Sequence, residues 1–121
     1  MNMRARGDRG EAQAAAFLES QGCVMLERNY CIRGGEVDII FKDGPTIVFC
    51  EVKTRTQSRF GTPAEAVDAF KQRRICRAAL DYAYKKNCID ESIRFDIIEI
   101  VNDKINHIKS AFEFTEDTGE R

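Results

Sequence analysis

Apolar and polar positions fall into alternating blocks of helical and extended character along the chain. From Asp8 to Gln21 an alanine-rich run carries Ala12, Ala15, Ala16 and Leu18 or Glu19 at helical spacing, and Gly22 stops it. Cys23–Tyr30 reads as a strand that frays into polar residues. Two runs, Val37–Phe41 and Thr46–Cys50, have the length and the β-branched or aromatic content of buried strands. Lys42-Asp43-Gly44-Pro45 between them has turn chemistry, which predicts a hairpin entered through Arg33-Gly34-Gly35. Pro63 opens a helical region, first Ala64–Ala69 and then Phe70–Lys86. The apolar stripe of the longer piece is Phe70, Ile75, Ala78, Ala79, Tyr82 and Ala83. Ile93–Val101 and Ile105–Phe114 are two last strands, the second at a sheet edge. The order helix, three strands, helix, two strands predicts an α/β fold, a central mixed sheet flanked by helices. Near-continuous apolar strands imply that both faces of the sheet are covered.

Composition narrows the class. A chain of 121 residues is one domain by size, with 43% hydrophobic and 32% charged residues, and a disordered chain is excluded. Residues 1–7 and 115–121 are expected to be disordered ends. No apolar run reaches the ~20 residues of a membrane helix, and the basic N-terminus leads into no apolar core, so no membrane and no secretory signal are expected. The five cysteines are odd in number and form no C-x-x-C pair, and His107 is the only histidine. That argues against a zinc site or a disulfide framework, and for reduced thiols in the cytoplasm. Net charge is −1, yet Lys53 to Arg77 carries seven basic residues against two acidic ones, +5 against −6 elsewhere. This stretch is either a basic surface for a polyanion or an ordinary solvated helix face.

The candidate chemistry sits at one end of the hairpin. Residues two apart on a strand share a face, so Glu36 pairs with Asp38 and Glu51 with Lys53. Antiparallel pairing brings the start of the first strand beside the end of the second. Carboxylates gathered on a buried sheet are costly unless something positive joins them. Two readings stand at this point: a divalent ion, Mg²⁺ or Mn²⁺, with Lys53 near an attacking water, or a salt bridge from Lys53 to Glu51 or Asp38. Glu11, in the first turn of the first helix, suits the helix dipole.

Asp38 followed by Glu51-Val52-Lys53 resembles the D…(E/D)-x-K pattern of restriction-endonuclease-like nucleases. Gly10-Glu11, Glu27-Arg28-Asn29, Gly35-Glu36-Val37-Asp38, Val48 to Arg55, Phe60-Gly61-x-Pro63-Ala64-Glu65-Ala66-Val67 and Arg94-Phe95-Asp96 together resemble the YraN family. These are small bacterial proteins related to archaeal Holliday-junction resolvases, and the likeness runs from about Arg9 to Phe112. The resemblance implies a restriction-endonuclease-like core and metal-dependent hydrolysis of phosphodiester bonds in structured or branched DNA. It implies Asp38, Glu51, the carbonyl of Val52 and Glu11 as ligands of Mg²⁺ or Mn²⁺, with Lys53 orienting or deprotonating water. Glu36 and Gln72 would stand behind them, although Cys76 replaces the tyrosine that follows such a glutamine in some relatives. Arg55, Arg59, Lys71 and Arg74, with Arg73 and Arg77 of the same basic cluster, would contact nucleic-acid phosphates without reading sequence. The alternative reading is a nucleic-acid-binding protein that keeps the fold without turnover. A homodimer through the edge strand Ile105–Phe114 is a third reading.

Overall fold

The computed structural model describes residues 3–55 and 67–115, with side chains from residue 9 onward. Its elements follow the predicted order: α1 (Met3–Ser20), β1 (Val24–Ile32), β2 (Gly35–Asp43), β3 (Thr46–Arg55), α2 (Ala69–Lys85), β4 (Ile93–Val101) and β5 (Lys104–Phe112). The strands lie in one sheet in chain order, β1-β2-β3-β4-β5. Three neighbouring pairs are antiparallel, and β3 with β4 is parallel, bridged by the α2 crossover. A parallel pair needs such a crossover because a tight turn can only reverse the chain.

Each helix covers one face. On one side Ala14, Ala15 and Leu18 of α1 pack on Ile39, Phe41, Val48, Cys50, Ile98 and Ile100. On the other, Ile75, Ala78, Ala79 and Tyr82 of α2 pack on Ile40, Ile47, Phe49 and Ile97. The central strands β3 and β4 are therefore buried almost throughout, while edge strands β1 and β5 alternate between covered and exposed positions.

Several boundaries differ from the sequence reading. The first helix begins at Met3 rather than Asp8. Its buried side is Glu11, Ala14, Ala15 and Leu18, whereas Ala12 and Ala16 face solvent. The methyl of alanine suits either side, so the alanines could not fix the rotation; Leu18 does. At the helix end Gly22 takes φ +91, and Cys23 N–H returns to the Leu18 carbonyl at 3.0 Å, the left-handed stop expected of glycine. The hairpin turn contracts to Gly44-Pro45, and β3 runs past Lys53 to Arg55. In α2 the buried side includes Cys76 but not Phe70, which is 62% exposed. The predicted short helix Ala64–Ala69 and the ends at residues 1–2 and 116–121 lie outside the described residues, apart from Val67, Asp68 and Ala69. Asp68 caps α2 by accepting the Lys71 N–H at 2.8 Å.

Gly35 fixes how closely α2 approaches the sheet. A Cβ there would stand 2.7 Å from the Arg74 carbonyl oxygen and 2.9 Å from the Ala78 nitrogen, both backbone atoms of α2. Only a residue without a side chain lets the helix lie so low over the start of β2. This contact brings the basic side of α2 to the carboxylates of the hairpin. All five cysteines are free thiols, and no described helix is long and apolar enough to cross a membrane.

Candidate functional site

The β2–β3 ladder runs from Asp43↔Thr46 to Ile39↔Cys50. The next positions in that register are Asp38 and Glu51, and there the side chains take over from the backbone. Asp38 Oδ2 accepts the Val52 N–H at 2.9 Å, filling the place that a strand carbonyl would take. On the other flank of β2, Asn29 adopts φ 55 between the pairs Arg28↔Ile39 and Tyr30↔Val37, which sets the bend in β1 opposite Asp38. Asparagine tolerates this left-handed region better than most residues. The carboxylates thus sit where the β2–β3 ladder ends.

Glu51 follows Phe49 on the α2 side of the sheet and is only 3% exposed. It is hydrogen-bonded to Asp38; burial and then the Asp38 charge push its pKa up to about 8, against the pull of Lys71 and Lys53. At neutral pH Glu51 therefore keeps its proton. Glu51 Oε1 is buried and has no hydrogen-bond partner, which is costly for a polar atom that nothing else satisfies. Lys53 Nζ is 3.5 Å and Lys71 Nζ 3.8 Å from Glu51 Oε2.

A second carboxylate flanks the pair. Glu36 Oε2 accepts from Lys71 Nζ at 2.6 Å, and Arg74 Nη2 lies 3.7 Å from Glu36 Oε1. The Lys71 hydrogen bond holds the Glu36 carboxyl below the usual carboxylate range in spite of its partial burial. Burial opposes the Lys71 ammonium, but the Glu36 hydrogen bond and the charge of Glu51 outweigh it and raise its pKa. Lys71 is thus shared between Glu36 and Glu51.

The structure joins Asp38, Glu51, Lys53, Glu36 and Lys71, and leaves other predicted residues elsewhere. Glu11 is buried on α1, on the opposite side of the sheet, with Arg28 Nη2 3.9 Å from its Oε1. Among the described residues no three His, Cys, Asp or Glu side chains are grouped closely enough to hold a metal. The carboxylates that could hold one are Asp38 and Glu51. Arg55 is paired with the buried Glu99 at 3.2 Å. Arg77 Nη1 donates to the Gly34 carbonyl, and Gln72 Nε2 to the Val67 carbonyl at 2.8 Å. Arg73 has no ionic or hydrogen-bonded partner among the described residues. Arg59 lies outside them.

Sequence reasoning missed two features. It grouped Lys71 with the arginines as a phosphate contact, because nothing local shows that α2 lands beside Glu36, 35 positions earlier. It also missed a polar cluster on the α1 side. Asp96 is fully buried and accepts from Arg94 Nε at 2.9 Å, from Ser110 N–H at 3.0 Å and from His107 Nε2 at 2.7 Å. Although burial opposes its charge, the His107 and Arg94 hydrogen bonds hold its carboxyl below the usual range. These bonds span the register shift of β4 against β5 between Phe95 and Ile97. The only local signal was an acid in an apolar strand that also carries Glu99.

Fold and site define an α/β protein with paired carboxylates and lysines where its hairpin ladder ends. A model described as "Uncharacterised protein family UPF0102" matches residues 10–100. A UPF0102 protein of Geobacter metallireducens is 45% identical over 117 residues, covering 93% of this chain and 96% of its own. One of Geobacter sulfurreducens is 47% identical over 112 residues, 88% of each chain. A third, of Clostridioides difficile, is 43% identical over 114 residues, covering 93% of this chain and all of its own. The chain belongs to the UPF0102 family, which is the YraN family that its motifs resemble.

Proposed function

We propose that the protein is a metal-dependent endonuclease that hydrolyses phosphodiester bonds of structured or branched DNA. The observation that carries this reading is the Asp38–Glu51 pair, a half-buried carboxylate beside a buried carboxyl group, with a polar atom of Glu51 left unsatisfied. Two carboxyl groups crowded at the end of a ladder, one of them buried, favour a cation between them. Two carboxylates fit Mg²⁺ or Mn²⁺, because such ions keep several waters and take further oxygens from substrate phosphates. Asp38 and Glu51 would hold the ion, with the Val52 carbonyl as a third oxygen. When bound it would lower the pKa of a water and balance charge on the phosphate.

The remaining chemistry belongs to the chain. Lys53, 3.5 Å from Glu51, sits where its ammonium can orient the attacking water or hold a phosphate oxygen. Lys71 lies between Glu36 and Glu51 and can turn to a phosphate when an incoming cation takes over the Glu51 oxygens. Arg73 is an α2 cation with no carboxylate partner among the described residues, which leaves it able to meet a phosphate. A panel of junctions, flaps and single strands incubated with Mn²⁺ tests the proposal. Cleavage of one or more members is expected, lost in Lys53→Ala while binding remains. An intact panel together with no calorimetric Mn²⁺ binding sinks it.

One observation favours the second reading, a nucleic-acid-binding protein without turnover. Glu11, carried over as a third ligand, is beside Arg28 instead. On that reading Asp38→Asn leaves nucleic-acid affinity unchanged and no Mn²⁺ binds; a Mn²⁺ isotherm that Asp38→Asn abolishes rejects it.

A further inference from the structure

Phe70 is apolar, yet it stands in the open. It lies in the first turn of α2 and is 62% exposed, although its residue type and spacing assign it to the buried stripe. Isolated exposed phenylalanines are ordinary; the surroundings of this one are not. The Arg74 guanidinium lies over the ring, 5.9 Å from its centre, and the same side chain reaches Glu36 at 3.7 Å. The next residue, Lys71, bridges Glu36 and Glu51. From Ala69 to Arg77 the helix carries Lys71, Arg73, Arg74 and Arg77 and no acid. An open aromatic face is thus set in a cationic surface, one side chain away from the carboxylate site. Tyr84 is as exposed, at 68%, but lies more than three turns further along α2.

We infer that Phe70 is a stacking platform for an unpaired nucleobase, so the site takes strands whose nucleotides beside the bound phosphate are not base-paired. The inference rests on the nucleic-acid reading above and adds the class of substrate. Every base has a π-face, so stacking on an aromatic ring tolerates any sequence, and cations along the same groove hold the backbone. Inside a duplex that face is already stacked on its neighbours and is closed to the ring. Arg74 polarises the platform from one side by cation–π contact. Lys71, Arg73 and Arg74 supply the charge that a polyanion requires.

The chain contains no tryptophan, so Phe70→Trp places a single fluorophore on the platform. Wild type, Phe70→Trp and Phe70→Ala are titrated in EDTA with labelled oligo-dT, oligo-U and a duplex of equal length. Phe70→Ala is expected to weaken both single strands by about 5- to 150-fold, the ~1–3 kcal/mol of one stacked base, and to leave the duplex within about twofold. Phe70→Trp is expected to keep the affinity, with its fluorescence quenched by single strands and not by duplex. Unchanged single-strand affinity in Phe70→Ala, or an equal loss on duplex, overturns the platform and leaves the nuclease reading standing. Wild type that binds neither single strand also overturns the platform, and the Mn²⁺ panel above then decides the nuclease reading by itself.

Discussion

The carboxyl groups of Asp38 and Glu51 are hydrogen-bonded to each other at the first positions beyond the Ile39↔Cys50 pair. A divalent ion entering there must displace the Glu51 proton, since burial and Asp38 keep that carboxyl protonated up to pH about 8. Mn²⁺ binding should therefore release close to one proton at pH 7. Its apparent affinity should climb by up to about tenfold per pH unit below 8 and then level off. Calorimetry in buffers of different ionisation enthalpy reads the proton count. Heats independent of buffer between pH 6 and 7.5 would contradict a protonated Glu51.

The same group makes the metal-free fold pH-dependent. Its folded pKa is raised above the unfolded value, so its contribution is complete at acid pH. It is lost as pH rises through about 8. Glu51→Gln removes the ionisation and keeps the shape. At pH 9 the variant should melt about 5 °C or more above wild type, and at pH 4 the two should nearly coincide. Melting curves at the two pH values decide it; a gap of the same size at both would show that packing, not charge, separates them.

Two glycines near the site should respond unequally to alanine. At Gly35 the new methyl meets backbone of α2, so the helix itself must lift, at a cost of about 1–3 kcal/mol. At Gly10 it meets the Thr54 hydroxyl, a side chain that can rotate away. Denaturant midpoints should fall clearly in Gly35→Ala and only slightly in Gly10→Ala. Equal losses would show that α2 is not seated on Gly35.

Asp96→Asn removes the buried charge that Arg94 and His107 share. A loss of about 3–5 kcal/mol is expected at pH 7, as for other broken buried pairs. Because the Asp96 pKa is lowered in the fold, its contribution is present above the ordinary carboxylate range and disappears as pH falls through its lower folded value. Urea unfolding of both proteins at pH 7 and at the most acid pH where wild type stays folded should show the gap closing. A gap that persists unchanged would assign the loss to geometry alone.

The hairpin was legible because its signals are local. Two apolar runs, a Gly44-Pro45 turn and period-two spacing were enough to gather Glu36, Asp38, Glu51 and Lys53. The element order was legible for the same reason. Less legible was any choice that depends on a surface far along the chain. The alanines of α1 could not show which side turns inward. Phe70 reads as core by type, yet α2 buries Cys76 and leaves that ring out. Lys71 became a partner of Glu36 only because Gly35 lets the helix settle low. Asp96 was one of two acids in an apolar strand until β5 supplied His107 and the Ser110 amide.

Gly35 also has a consequence for how the charge of the site is balanced. The acids are brought together by a hairpin, with Asp38 and Val52 14 positions apart, whereas Lys71 reaches Glu36 across 35. A short loop closes at lower entropic cost than a long one, so the carboxylates can meet without α2, whereas Lys71 and Arg74 cannot reach them until the helix is seated. Docking of α2 is therefore also an act of neutralisation. Any opening that lifts the helix takes Lys71 and Arg74 away from Glu36 and leaves the cluster on the acidic side, and a cation in solution then competes directly with the helix for the same oxygens.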